Sequence, residues 1–168
     1  MQGSMMTIPL SIPAILRHAA LYHGSTEIVS RAHDGGIHRY DYARAWVRTQ
    51  KLAHALTKLG LGEGDRVGTI AWNGHRHLEV YYAVAGAGMV CHTINPRLFP
   101  EQIAFIINHA ADKVLFVDPG FVPLLEGIAD RLEPVRRIVV MADAEHMPVS
   151  SKLPELLCYE TLIQSEPD

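Results

Sequence analysis

An open α/β sheet, mostly parallel and flanked by helices, is the fold this sequence predicts, with an N-terminal helix and a β-hairpin ahead of it. Three observations carry that reading. From Arg66 onward, short β-branched runs alternate with stretches whose apolar residues recur every three or four positions. The short runs are apolar along their length, as parallel strands covered on both faces must be. The spacing between them is short, so each strand–helix–strand unit closes as a right-handed crossover onto one sheet.

Element by element, Ile12 to Tyr22 reads as a helix with Pro13 in its first turn and Ile12, Ile15, Leu16 and Ala19 on one face, stopped by Gly24. Glu27 to Tyr42 reads as a hairpin. Ile28 and Val29 lie in one strand, Ile37 and Tyr40 in the other, and Asp34-Gly35-Gly36 supplies the turn with φ > 0. Tyr42 to Leu59 is a strong amphipathic helix, its stripe running Tyr42, Ala45, Trp46, Thr49, Leu52, Ala53, Leu56 and Leu59. Asp41 is its expected N-cap and Gly60 its stop. Arg44, not Glu, stands three residues after Asp41, so this is no capping box. The alternating region then predicts strands at Arg66–Ala71, Met89–Ile94, Lys113–Val117 and Arg136–Met141. Between them lie three helices. One opens at Asn73-Gly74 with Leu78, Tyr81, Tyr82 and Ala85 inward. The next starts at Pro100 with Ile103, Ile106, Ile107 and Ala110 in register. The third carries Phe121, Leu124, Leu125, Ile128 and Leu132. Ala142–Leu153 reads as a loop and Pro154–Gln164 as a short amphipathic helix. The expected organisation is residues 1–4 as a cloning scar around Gly3-Ser4, 5–42 as helix and hairpin, 43–141 as the βα region, and 142–168 as loop and helix.

Composition limits the classes of function. The chain has 168 residues, 48% apolar and 20% charged, which is ordinary globular composition and enough for a core without staples. A net charge of −3 argues against nucleic-acid binding, which calls for a basic field. Two cysteines 67 positions apart make no disulfide framework, so a reducing compartment, the cytoplasm, is expected. The first residues lack the basic-then-apolar pattern of a signal peptide, and apolar runs of four to six residues are too short to span a bilayer.

The chemistry-bearing residues do not assemble into a complete active site. Gly60-Leu61-Gly62-Glu63-Gly64 resembles a phosphate loop only in composition. Such a loop follows a strand and opens a helix, whereas this one follows a helix and enters a strand, so a helix stop and turn explain it. Ten histidines invite a metal reading, but His75 and His77 sit two apart at a helix start, and Cys91 and His92 are strand neighbours pointing to opposite faces. His77 shares a helix face with Tyr81, a poor ligand for most metals, so surface and capping histidines are the better account. Cys91 reads as an inert core thiol, and no Gly-x-Ser-x-Gly elbow is present. Asp118 stands where an open sheet places ligand groups, and also where Asp-Pro-Gly starts a turn; the turn is the stronger reading. Asn95-Pro96-Arg97 follows a strand in the same sense. Arg97 either holds an anion or pairs with a carboxylate at a rigid strand exit.

Four segments, taken in order, resemble the N-terminal part of the AMP-forming acyl-CoA synthetases, the adenylate-forming family that includes the fatty-acid–CoA ligases. They are Leu59-Gly60-Leu61-Gly62-Glu63-Gly64-Asp65-Arg66-Val67; Ala71-Trp72-Asn73 with His77-Leu78-Glu79; Gly86-Ala87-Gly88 with Cys91 through Leu98; and Pro100-Glu101-Gln102-Ile103 through Val114–Asp118. The run from Cys91 to Ile103 is similar to the medium- and long-chain fatty-acyl and 3-(methylthio)propionyl-CoA ligase branch. Glu27–Arg31 and Ala144–Pro148 fit the same branch, and the resemblance spans nearly all of the chain after residue 8.

The resemblance implies a parent that joins a fatty acid, ATP and coenzyme A through an acyl-adenylate, with magnesium neutralising phosphate charge. It also implies that the parent's working parts lie elsewhere. The Ser/Thr/Gly-rich phosphate loop, the Tyr-Gly-x-Thr-Glu motif, the ribose-binding Asp and the C-terminal catalytic Lys match nothing in these 168 residues. The expectation is an N-terminal fragment that is inactive alone, with no catalytic, cofactor-binding or metal residue and no cofactor of its own. Exposed apolar surface and a bare strand edge are expected to make it a homo-oligomer. A stand-alone nucleotide-binding or protein-interaction module is the alternative.

Overall fold

The computed structural model describes residues 3, 7–32, 35–148, 152–153 and 156–167. Helix α1 (Ile12–Tyr22) is followed by an antiparallel hairpin, β1 (Glu27–Arg31) and β2 (Ile37–Asp41), in which Arg31 faces Ile37. Gly35 takes the turn's positive φ of 88°; Asp34 lies outside the described residues. Helix α2 (Tyr42–Lys58) starts where the Asp41 carboxylate accepts the Arg44 amide at 2.8 Å, and Gly60 stops it at φ 83°.

Five parallel strands follow, β3 (Arg66–Ile70), β4 (Val90–Thr93), β5 (Val114–Val117), β6 (Arg137–Val140) and β7 (Leu156–Cys158), in the order β4-β3-β5-β6-β7. Helices α3 (His75–Gly86), α4 (Pro100–Ala110) and α5 (Val122–Glu126) make the crossovers, and α6 (Tyr159–Gln164) follows β7. The chain steps from β3 to β4 and then back across β3 to β5, so the strand order reverses between β3 and β5.

Alternate residues of each strand enter opposite cores. Val67, Val114, Phe116 and Val139 pack with Leu52 and Leu56 of α2, Val80 and Val84 of α3, and Tyr159 and Ile163 of α6. Ile70, Leu115, Val117, Ile138 and Val140 pack with Ile103 and Ile107 of α4 and Leu125 of α5. A third cluster of Leu16, Tyr40 and Ala45 seats α1 and the hairpin outside this sandwich.

The open parallel sheet is as expected, with three corrections. Pro154–Gln164 is not one helix: Leu156–Cys158 is the fifth strand, paired with β6, and only Tyr159–Gln164 is helical. Its run is too short for periodicity to tell strand from helix. The helix expected from Phe121 to Leu132 breaks into α5 between two 3-10 turns, 119–121 and 129–131, with Gly127 closing α5. The inner face of α3 is also different. Its buried residues are His75, His77, Glu79, Val80, Ala83 and Val84, whereas Tyr81 is exposed and Leu78, Tyr82 and Ala85 are half-buried. Tyr82 packs against the third cluster, so the stripe seen in sequence looks out to the α1–hairpin layer. The charged Glu79 hid the face that meets the core.

Candidate functional site

The carboxyl ends of β3, β5 and β6 surround a cavity of about 260 Å³ lined by Arg31, Trp72, Asn73, His75, Arg76 and Asp118, among others. Two of its elements owe their placement to local chemistry. Asp118 leaves β5 as the cap residue of a 3-10 turn, its carbonyl accepting the Phe121 amide at 2.9 Å. Its carboxylate reaches sideways to accept the Trp72 amide at 2.7 Å. The turn reading therefore holds for the main chain, while the side chain ties the β5 exit to the β3 exit.

His77 works similarly. Nδ1 lies 3.2 Å from the Trp72 carbonyl, which can only accept, so Nδ1 carries the proton and Nε2 accepts from Thr69 Oγ1 at 3.0 Å. Burial holds its pKa below the usual histidine value, so it is a neutral pin under the β3 exit and not a ligand in waiting. His75 stacks flat on His38 of the hairpin, centroids 3.6 Å apart. Burial, followed by the nearby His38, Arg76 and Arg48, pushes its pKa down to about 3.

Arg97 does not form the carboxylate pair among the described residues. Its guanidinium lies 5.7 Å from the Trp72 ring centroid, and no carboxylate partners it among the described residues. Asn95 Oδ1 accepts the Arg97 amide at 3.0 Å, which makes the strand exit rigid. The Gly60–Gly64 stretch is the helix stop and turn anticipated, with Gly64 at φ 77°. Cys91 faces the α2–α3 core, its thiol pushed up to about 11 by burial and then by Asp112. His92, on the other face, donates from Nδ1 to Asp112 Oδ2 at 2.8 Å. Asp112 is fully buried, and burial raises its pKa despite that bond. Among the described residues no group of three His, Cys, Asp or Glu side chains could hold a metal ion.

The largest polar assembly escaped the sequence reading. Arg48 of α2 donates from Nε to Glu79 of α3 at 2.8 Å, and from Nη1 and Nη2 to Glu160 of α6 at 2.9 and 3.0 Å. Arg76 donates to Glu160 at 2.7 Å and to the Met141 carbonyl at 3.2 Å, and the Tyr159 hydroxyl donates to Glu79 at 2.7 Å. Burial raises the Glu79 pKa, with Arg48 pulling against it. For Glu160 burial is opposed by both arginines, which hold it below the ordinary range. Arg48 and Glu160 stand 112 positions apart, so no local motif joins them. The assembly clamps three helices and has no free nucleophile or proton carrier facing a cavity.

Comparison with known proteins adds to this geometry. Residues 16–162 match the model of the family described as AMP-binding enzyme. The chain is 50% identical over 165 residues to a 3-methylmercaptopropionyl-CoA ligase of Ruegeria lacuscaerulensis, covering 98% of this chain and 30% of that protein. It is also 50% identical over 163 residues to a medium-chain-fatty-acid–CoA ligase of Ectopseudomonas oleovorans, covering 97% of this chain and 30% of that one. The crystal structure of an anthranilate CoA ligase in complex with anthranoyl-AMP superposes with a TM-score of 0.79 over 99% of this chain and 29% of its own, at 20% identity, a likeness of fold. The chain thus spans about 30% of the length of the curated relatives it matches.

Proposed function

The chain belongs to the AMP-binding enzyme family, and on that premise we propose that it is the N-terminal portion of an AMP-forming acyl-CoA ligase acting on a fatty acid or a related short thioether acid. The whole enzyme joins the acid to coenzyme A in two steps. The carboxylate first displaces pyrophosphate from ATP to give an acyl-adenylate. The coenzyme A thiol then displaces AMP. The observation that carries the reading is 50% identity over nearly the whole chain to two ligases of this kind, each only 30% covered.

These residues supply the framework and not the chemistry. Several of their polar groups are committed to structural ties: Asp118 to Trp72, His77 to Thr69, Arg48 to Glu79 and Glu160. Among the described residues no group of three His, Cys, Asp or Glu side chains is placed to hold a magnesium ion. The protein is cytoplasmic on this reading, which its two free cysteines support; no helix among the described residues is long and apolar enough to cross a membrane.

The test is pyrophosphate release from ATP and a medium-chain fatty acid. The 168-residue chain is expected to release none. The product of the gene read on past the codon for Asp168 is expected to release pyrophosphate only when acid is present. Release by the short chain alone would overturn the framework reading, and silence from the longer product would overturn the ligase reading.

Self-association is part of the same proposal. Helix α1 turns Ile12, Ile15, Leu21 and Tyr22 outward, 52%, 57%, 67% and 71% exposed, next to the exposed Ile8 and Leu10 that precede it. A contiguous apolar face of this kind favours a second copy of the chain. Light scattering at rising concentration is expected to show a dimer that Ile15→Glu disperses. A monomer at high concentration would remove this part.

A further inference from the structure

We propose that the stacked rings of His38 and His75 are a proton-operated latch, which holds the N-terminal hairpin against the body of the molecule at neutral pH and lets it go on acidification; the device does not depend on the ligase reading. The hairpin needs such a hold. β1 and β2 make a two-stranded sheet of their own and take no part in the five-stranded one. A hairpin alone is marginally stable in water, so its place is set by what its inner face meets. That face is short. His38 and Tyr40 are the inward positions of β2, and Tyr40 sits in the small third cluster with Leu16 and Ala45. His38 lies flat on His75 at the start of α3, centroids 3.6 Å apart and planes 12° apart, and Tyr40 meets both rings in T-shaped contacts.

The contact holds only while both rings are neutral. Two imidazolium ions at this spacing repel, and a single one is desolvated between its neighbours. His38 Nε2 is buried and has no hydrogen-bond partner among the described residues, so a proton there has no acceptor. The charges around the stack come from three helices. Arg48 of α2 and Arg76 of α3 oppose a positive charge on either ring, and Glu160 of α6 favours one. Glu160 is already bonded to both arginines, and Glu79 of α3 is held by Arg48 and Tyr159. On the hairpin, Arg39 is paired with Glu27, and the Asp41 carboxylate accepts the Arg44 amide. Arg31 and Asp118 share the cavity that His75 lines, where Asp118 is tied to the Trp72 amide. Burial is the first cause that holds both histidines below the ordinary value, His75 at about 3.

The free side chain titrates near 6.5, so below that pH the released hairpin takes up protons that the closed form refuses. Release therefore gains about tenfold per pH unit for each histidine that stays neutral when closed. His75 keeps that factor down to about 3, and His38 adds to it just below 6.5. Release also changes the cavity at the carboxyl ends of β3, β5 and β6. Arg31 and Ala32, where β1 ends, form part of its wall, so a loose hairpin leaves that side open.

The experiment is native-state hydrogen exchange of the 168-residue chain from pH 7.5 to 5, corrected for the intrinsic rate at each pH. The amides of β1 and β2 are expected to exchange by an opening that urea hardly affects, and below pH 6.5 this opening grows by more than about tenfold per unit. The amides of β3 and β5 stay the more protected at every pH, and their exchange depends on urea. His38→Phe keeps a flat ring in the stack and takes no proton. It is expected to leave the hairpin protected at pH 7.5 and to cut the growth to about tenfold per unit or less. His75→Gln, the second variant, is expected to flatten the growth further, because the ring with the larger shift is gone. Hairpin and sheet amides opening together with equal urea dependence, a wild-type opening that stays flat below pH 6.5, or growth undiminished in either variant would overturn the latch.

Discussion

Gly68 shows how one missing side chain holds a charge pair. It sits in β3 between His92 of β4 and Leu115 of β5. A Cβ there would lie 2.5 Å from Leu115 Cδ2 and 2.9 Å from Asp112 Oδ2. The His92–Asp112 bond crosses the sheet in the space a side chain would fill. Gly68→Ala is expected to destabilise by about 1–3 kcal/mol through overpacking, read as a lower urea midpoint with an unchanged slope. Glu79 makes the complementary case. Arg48→Met leaves its buried carboxylate with only the Tyr159 hydroxyl, and a loss of about 3–5 kcal/mol is expected in the same measurement. His75 predicts a pH effect. Its folded pKa is about 3 against 6.5 for the free side chain, so below 6.5 the unfolded chain binds the extra proton. Its stabilising contribution is complete above pH 6.5 and is lost as pH falls towards 3. Between pH 6.5 and 5 this removes about 2 kcal/mol. Glu79 and Asp112, raised by burial, act with the opposite sign, so the difference between wild type and His75→Gln isolates the histidine. A steeper acid loss in the variant than in wild type would refute the assignment.

At the scale of elements, periodicity located α1, α2 and α4 and all four longer strands to within a residue or two, because apolar residues recurring at a fixed spacing mark the element whatever it packs on. It missed the inner face of α3 because that face includes polar residues. Val80 and Val84 meet the sheet, Tyr82 meets the α1–hairpin layer, and Glu79 is buried only because Arg48 and Tyr159 meet it. It failed at β7 because three residues cannot display a period. The β7–α6 unit nevertheless completes one core: Tyr159 and Ile163 are buried in it, and Glu160 anchors both arginines. A chain ending at residue 151 is expected to lose amide protection across α2 and α3 as well as β6 in hydrogen exchange, since Arg48 and Arg76 would lose their shared carboxylate. Loss confined to β6 would show that the clamp does not couple these elements.

For the whole molecule, the layer order and the strand reversal between β3 and β5 put the exits of β3 and β5 together and leave α1 with an apolar face to solvent. By itself, the sequence determined the fold class, the N-terminal helix and hairpin, the role of Gly60 as a stop and the opposite facings of Cys91 and His92. These depend on residues near one another in the chain, where period, φ preference and alternation act locally. The family resemblance was legible too, in motif order from Leu59 to Asp118. Tertiary structure alone decided that Asp118 reaches Trp72, that Arg97 lies over an indole ring, that Arg48 and Glu160 meet across 112 positions, and that His75 stacks on His38 of the hairpin. The physical reason is that a charged or polar side chain gives no local sign of burial. It can be buried only when a partner arrives from a distant element, and that arrival is a property of the closed fold.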